Sequence, residues 1–291
     1  MLKAKKMWIA AFLAPTVILF LLIYAIPMAM VFVTSFLDYR LTSREITFAG
    51  LANYKRMFGD VNFFTAFTNT VIWILLHCIA HVAIGVLIAL LLYRRPKGWK
   101  FIRTAYMTPS IISNAAMAMI FVNIFNPKFG VINSVLRAAG LGHIATNWLM
   151  DKSTAFGSVT VIWFIFAGYT TTLVLAQALS IDENILEAAS IDGASKFQID
   201  IFIMLPLLRR MIGTTMVMAA IYMLQMFDLI YLTTQGGPGH RTTNLPLLLY
   251  RVYMSENNYG YANAIGVVIV VLGAISMGVI HKVMGMNKED F

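Results

Sequence analysis

Apolar residues gather into six long runs separated by shorter polar stretches. The runs lie within Trp8–Phe36, Phe67–Leu92, Ala105–Phe125, Thr154–Leu179, Met211–Thr234 and Ala262–Ile280. A helix needs about 20 residues to cross a bilayer, so each run is long enough for one crossing. Pro15 and Pro27 in the first run are tolerable as kinks, and Pro109 falls in the first turns of the third. The pattern predicts an all-α polytopic membrane protein with six transmembrane helices, forming a single transmembrane domain over residues 1–291. No internal repeat, low-complexity tract or separate soluble domain breaks it. Lys3, Lys5 and Lys6 before an apolar run resemble a signal peptide. The uncharged run from Met7 to Leu37 is too long for one, so a retained first span is expected.

The stretch 180–206 between the fourth and fifth runs is different. It holds five of the chain's thirteen acidic residues, from Asp182 to Asp200. Ser180 with Glu183 fits a capping box, and Ser195 with Gln198 fits a second. Gly193 sits between them, where a chain leaving a helix often needs a left-handed residue. Pro206 lies near the start of the next apolar run, where a missing N–H matters least. The spacing predicts a bent, amphipathic helical hairpin outside the bilayer. On its residues alone it is either a well-capped interhelix loop or a docking element.

Composition sharpens the membrane reading. The 291 residues are 59% hydrophobic and only 12% charged, against roughly 25% charge in soluble domains. Cys78 is the single cysteine, which rules out an internal disulfide and argues against a cysteine metal site. The net charge of +9 does not point to nucleic acid, because the basic residues cluster at the ends of apolar runs. Six spans put both termini on one side of the membrane. That side would carry thirteen Lys and Arg, the other nine; its first two segments hold eight basic residues and no acid. The positive-inside rule then makes that side, and with it the 180–206 hairpin, cytoplasmic.

The chemistry available to the chain is limited. No Gly-x-x-x-x-Gly-Lys-Ser/Thr stretch is present to cradle ATP phosphates. Carboxylates are nearly absent from the span interiors, which removes the usual proton relay of a secondary transporter. His77 and His81 stand one helical turn apart, a spacing that can ligate a metal, but no third ligand is evident. They read as packed, hydrogen-bonded histidines, with no metal site. A sugar needs aromatic faces and a few polar partners in a mostly apolar cavity. The fourth run offers Trp163, Phe166 and Tyr169; the fifth offers Tyr222, Gln225 and Met226 on one helix face. The same residues also serve as packing or lipid-facing anchors. Asn114 and Asn123 read as packing groups that hydrogen-bond between helices.

The spacing Glu187-Ala-Ala, three residues, Gly193, nine residues, Ile203-x-Leu-Pro206 resembles the signature loop of binding-protein-dependent ABC importer permeases. Phe48-Ala-Gly-Leu-Ala-Asn53-Tyr54, Asn69-Thr70, the stretch Phe227–Pro238 and Tyr259-Gly-Tyr-Ala262 resemble the maltose-type sugar branch. The chain lacks a large periplasmic insertion and extra N-terminal spans, so it resembles a compact six-span member. The resemblance implies a transport subunit, not an enzyme, of an ATP-driven importer carrying a sugar or oligosaccharide inward across a bacterial or archaeal cytoplasmic membrane. It implies that 180–206 is a coupling helix contacting an ATPase through Glu187, Ala188, Ala189, Asp192 and Gly193. It also implies a substrate site between the fourth and fifth spans. The implied partners are a second homologous permease, two cytoplasmic ATPase subunits, an extracytoplasmic sugar-binding protein docking on 38–60 and 235–261, and membrane lipid. ATP and Mg would bind those ATPases, leaving this chain without a cofactor.

Overall fold

The computed structural model describes residues 2–42, 45–164 and 166–286. Arg44, the charged tail from Lys288 to Asp290, and the side chains of Lys3, Lys5 and Lys6 lie outside the described residues. The described chain is mostly helical, with one two-stranded hairpin pairing Leu37–Asp38 with Thr47–Phe48. Four helices are long and apolar enough to cross a membrane: Ala11–Thr34, Val61–Tyr93, Ala155–Ala178 and Tyr259–Met284. Two bent pairs of helices pass the same test only when each pair is joined, which brings the number of spans to at most six, and the first member of the second pair lies in the 180–206 segment. Trp99–Ile111 meets Asn114–Ile124 at 104°, and Lys196–Leu207 meets Arg209–Gln225 at 67°.

The bend in the third span corrects the expectation of one helix through Ala105–Phe125. The chain tightens into a 3₁₀ turn at Thr108–Ile111 around Pro109, then becomes extended at Ile112. Ser113 starts a fresh helix, its hydroxyl accepting from the Ala116 N–H. The proline ring and a new N-cap together stop the first helix and begin the second. The fifth span also ends sooner than its apolar run, at Gln225, because Met226 turns extended before Asp228–Thr233 resumes the helix.

The fold divides into two compact units, Met1–Phe63 with Leu248–Val271, and Phe64–Leu247 with Leu272–Phe291. In the first, the family-like motifs are joints. Asn53 donates to the carbonyls of Ser35 and Leu37, both at 2.9 Å, and the Tyr54 hydroxyl meets Ser35 Oγ at 2.8 Å. The Gly260 N–H donates to the Tyr39 carbonyl. Tyr261 donates to Asp60 at 2.8 Å, and Arg56 lies over its ring while pairing with Glu256. By contrast, the most apolar stretch of Ala11–Thr34 buries none of its residues, as suits a helix solvated by lipid chains.

The second unit packs more densely. Trp73 stacks on Phe156 and its indole N–H donates to Thr160 at 2.8 Å. Gly85 lets the fourth span close in: a side chain there would press 2.6 Å from Thr170 Cγ2, and Thr171 donates to the Gly85 carbonyl. Small residues at such crossings are the usual device for helix association in membranes. Asn69 donates to the carbonyls of Arg241 and Thr243, and Thr70 accepts from the Leu245 N–H. These bonds hold the Gly236-Gly237-Pro238 turn, where Thr234 and Thr242 hydroxyls meet at 2.6 Å. A short helix, Leu245–Met254, follows within what reads in the sequence as a loop.

Candidate functional site

Four spans lose helical regularity around one cavity in the second unit. The second carries a π turn at His77–His81. The third bends at Ile112–Ser113, the fourth is non-helical at Phe166–Ala167, and the fifth breaks at Met226–Phe227. Residues at or flanking all four irregularities line a cavity of about 380 Å³. Inside a membrane, non-helical backbone survives only where protein buries it or where it borders a cavity. Transporter sites are built in this way from discontinuous helices, and π turns recur at functional sites.

Side chains take up the backbone groups that the breaks release. The Phe164 carbonyl lies 2.8 Å from His81 Nδ1. The Ala167 N–H donates to the Tyr106 hydroxyl at 3.4 Å. Asn244 donates to the Met226 carbonyl. The irregular segments are therefore held in place, so the wall they form is preorganised.

Of the residues expected to meet substrate, Trp163, Phe166, Tyr169 and Tyr222 come together on this wall. Gln225 and Met226 do not. Gln225 is exposed and does not line the cavity. Met226 is 2% exposed and points into the core. The expected shared face fails because the helix ends at Gln225, and the extended backbone of Met226 (ψ 102°) carries its side chain off the Tyr222 stripe.

The cavity also takes residues read as packing. Asn114 accepts from the Tyr222 hydroxyl at 2.7 Å, joining the third and fifth spans across the wall. Asn123 bonds back into its own helix, at the Met119 carbonyl. His81 is hydrogen-bonded as expected, but among the described residues Nδ1 of the buried His77 has no partner. Both histidines line the cavity. A polar cluster at Ser110, Ser113 and Asn114 inside an apolar run was the available signal for this part of the wall. Among the described residues, no group of three or more His, Cys, Asp or Glu side chains could hold a metal ion.

The 180–206 segment is the second candidate. Its first helix, Glu183–Ile191, is capped by Asp182, which accepts from the Asn184 N–H. Ser180 is not the cap: it donates to the Gln177 carbonyl and closes the preceding helix instead. The second box forms as expected, with Ser195 and Gln198 each bonding the other's backbone. Gly193 has φ of +86°, the left-handed turn between them. Nothing from residue 181 to 203 is buried: Glu187, Ala188, Asp192 and Gly193 are exposed and Ala189 half-buried. Ile191 and Phe197 stand 85% and 71% exposed, an apolar edge beside the acidic residues. Arg94 anchors the segment, donating at 2.6 Å both to Asp200 and to the Lys196 carbonyl.

Comparison with known proteins agrees with this architecture. Residues 81–284 match the model of the family described as binding-protein-dependent transport system inner membrane component. A probable ABC transporter permease protein of Bacillus subtilis, YurN, is 32% identical, the alignment covering 96% of each chain. A multiple sugar-binding transport system permease protein of Streptococcus mutans, MsmF, is 31% identical over 94% of this chain and 93% of its own. A crystal structure of a bacterial ABC transporter involved in the import of the acidic polysaccharide alginate shares the fold. Its matching chain has a TM-score of 0.84 and 22% identity, with 98% of each chain covered. By these matches the chain belongs to the binding-protein-dependent transport system inner membrane components: it is a multi-pass permease subunit of an ABC importer, a transport subunit whose ATPase is a separate chain.

Proposed function

We propose that this subunit passes a sugar or oligosaccharide inward across the cytoplasmic membrane through the cavity at Trp163, Phe166, Tyr169 and Tyr222. The observation that carries this reading is the convergence of four helix irregularities on one cavity walled by aromatic faces and a few polar groups. Aromatic rings suit the apolar C–H faces of a sugar, while hydroxyl, amide and imidazole groups suit its rim. A relative described as a multiple sugar-binding transport system permease supports the same substrate class.

In this proposal the 180–206 segment is cytoplasmic and enters a cleft of an ATPase subunit. Ala188 and Ala189 are small enough for close helix approach, Glu187 and Asp192 supply charge, and Gly193 lets the hairpin fold back. The exposed apolar edge at Ile191 and Phe197 supports docking, because such edges mark contact surfaces. The Arg94 anchor supports a cytoplasmic position, since it ties the segment to the basic stretch that the positive-inside rule keeps inside. Both termini are then cytoplasmic. A second homologous permease, two ATPases that hold ATP and Mg, and a sugar-binding protein on the outer face complete the importer. ATP acts by binding one state of the ATPases better than the other, which shifts the spans between outward and inward access.

Uptake by the reconstituted importer tests the reading. Sugar accumulation should require ATP and the ATPase subunits; uptake driven by an ion gradient without them overturns it. Glu187→Lys or Gly193→Asp should reduce coupled uptake by roughly tenfold or more, equivalent to losing about 1.4 kcal/mol of contact, while ATP hydrolysis continues. Normal coupled uptake in both variants would remove the docking assignment.

A further inference from the structure

The second span also forms one wall of a separate groove of about 680 Å³, within the second compact unit. Its other walls are the start of the fifth span, at Ile212 and Met216, and the short helix before it, at Ile201 and Leu205. The 67° bend between Lys196–Leu207 and Arg209–Gln225 opens the groove. Leu208 is fully buried at the corner. From there the short helix leaves the line of the fifth span and meets the end of the second, where Arg94 holds Asp200 and the Lys196 carbonyl.

Along the second span the groove is lined by Ile79, Ala83, Leu87 and Leu91, one residue per helical turn. Ile79 is 63% exposed, Leu87 65% and Leu91 44%, so the trough lies open along one side. Ile79 to Leu91 spans about 18 Å of helix, a little more than half of a roughly 30 Å hydrocarbon core. That is the reach of one leaflet, which a single lipid chain crosses.

The trough is charged at one end only. Arg94 and Asp200 are the charged residues among those that line it, and they pair with each other at 2.6 Å. Beyond this neutral pair, Arg95 and Lys97 flank the lining residue Pro96, followed by Lys100 and Arg103. All four are exposed, and none has an ion pair among the described residues. The acids Glu183 and Glu187 gather by Tyr93 around a different hollow. Trp99 lies among the cations, with the Arg95 guanidinium and the Lys100 ammonium each 6.0 Å from its ring, as suits an aromatic residue at headgroup level. Basic pockets between helices at a cytoplasmic membrane face recur as anionic headgroup sites. A helix of a second permease would also fit an apolar trough, but unpaired cations gathered at its polar end favour a lipid phosphate.

We propose that an anionic phospholipid of the cytoplasmic leaflet lays one acyl chain in this groove, with its phosphate held by Arg95, Lys97 and Lys100. The chain bridges Leu87 and Leu91 of the second span to Ile201 and Leu205, so the lipid steadies the second helix of the 180–206 segment. The choice of leaflet rests on the cytoplasmic reading of that segment; the groove itself rests on no substrate assignment.

The test uses the complete importer in phosphatidylcholine proteoliposomes that contain a minor fraction of phosphatidylglycerol with a diazirine midway along one chain. The control lipid is phosphatidylcholine with the same diazirine. After illumination, phosphatidylglycerol adducts should map to Leu87, Leu91 and Ile201 in excess of the control. Lys97→Gln should lower that excess about fivefold, as the loss of one cation near an anionic headgroup implies. Ala83→Trp, which fills the trough, should remove labelling by both lipids. Amide exchange over 196–207 should slow about fivefold when the lipid is at about four times its Kd. Equal labelling by the two lipids, or an excess that survives neutralising Arg95, Lys97 and Lys100 together, overturns the proposal. So do unlabelled groove walls, the result expected if the second permease fills the trough. Unchanged exchange overturns the steadying role. Labelling is read without ATP or sugar, so a failure of the transport reading leaves it unaltered. Confining phosphatidylglycerol to the leaflet on the ATPase side should preserve the adducts. Adducts formed only from the opposite leaflet overturn the cytoplasmic placement of 180–206 and, with it, the choice of leaflet.

Discussion

The hairpin at 180–206 and the wall of the cavity are both built from interrupted helices, but their interruptions are satisfied from different distances. In the hairpin the helix caps come from two or three residues away: Asp182 caps Asn184, and Ser195 and Gln198 cap each other. At the cavity the partners come from far along the chain. Phe164 is met by His81, Ala167 by Tyr106 and Met226 by Asn244. The hairpin is unburied from 181 to 203, so in the proposed cytoplasmic position a failed cap can still be solvated. The cavity wall sits at membrane depth, where an unmet carbonyl has no such alternative. The first design suits the proposed docking segment, which would present an exposed face to a partner. The second suits the proposed substrate wall, which would keep its shape around a passing solute.

This difference can be broken or sharpened by substitution, starting where the largest effect is expected. Gly85→Leu would drive a side chain into Thr170 and Ala167, beside the break in the fourth span. Overpacking of this kind should destabilise the subunit by about 3 kcal/mol and reduce its assembled yield in membranes. Normal stability in unfolding measurements in detergent would show that the two spans are not held as closely as described. Asn244→Ala comes next, leaving the Met226 carbonyl unmet. A loss of about 2 kcal/mol is expected, with faster amide exchange around Met226 and Phe227. The smallest effect belongs to Ser195→Ala, about 1 kcal/mol of local helix stability, seen as faster exchange confined to 196–207. If Ser195→Ala unfolds the protein as readily as Asn244→Ala, the contrast between local and distant satisfaction does not hold.

The same contrast explains which features were legible in the sequence. Gly193 and the Ser195–Gln198 box obey rules that operate within one turn, so their spacing was enough. Ser180 satisfied the same spacing with Glu183 and still lost the cap, because Asp182 lies nearer and Ser180 was taken by the Gln177 carbonyl. Aromatic content found four residues of the cavity wall. It also pointed to Gln225 and Met226, because periodicity assumes that a helix continues and this one stops. Asn114 and His77 looked like packing groups, since nothing local distinguishes a polar side chain facing a neighbouring helix from one facing a cavity. The motifs Asn53-Tyr54 and Tyr259-Gly-Tyr261 pointed to the family, and the structure adds that they are joints within the first unit.

The sequence by itself determined that this is a polytopic helical permease. Runs of about 20 apolar residues have one stable arrangement in a bilayer, and the Glu187–Pro206 spacing is a local signature. Only the tertiary structure decided where the spans break and which side chains gather there. Whether a backbone group inside the membrane can leave its helix depends on a partner waiting on another helix, such as His81 for Phe164 or Asn244 for Met226, and no local pattern records that pairing.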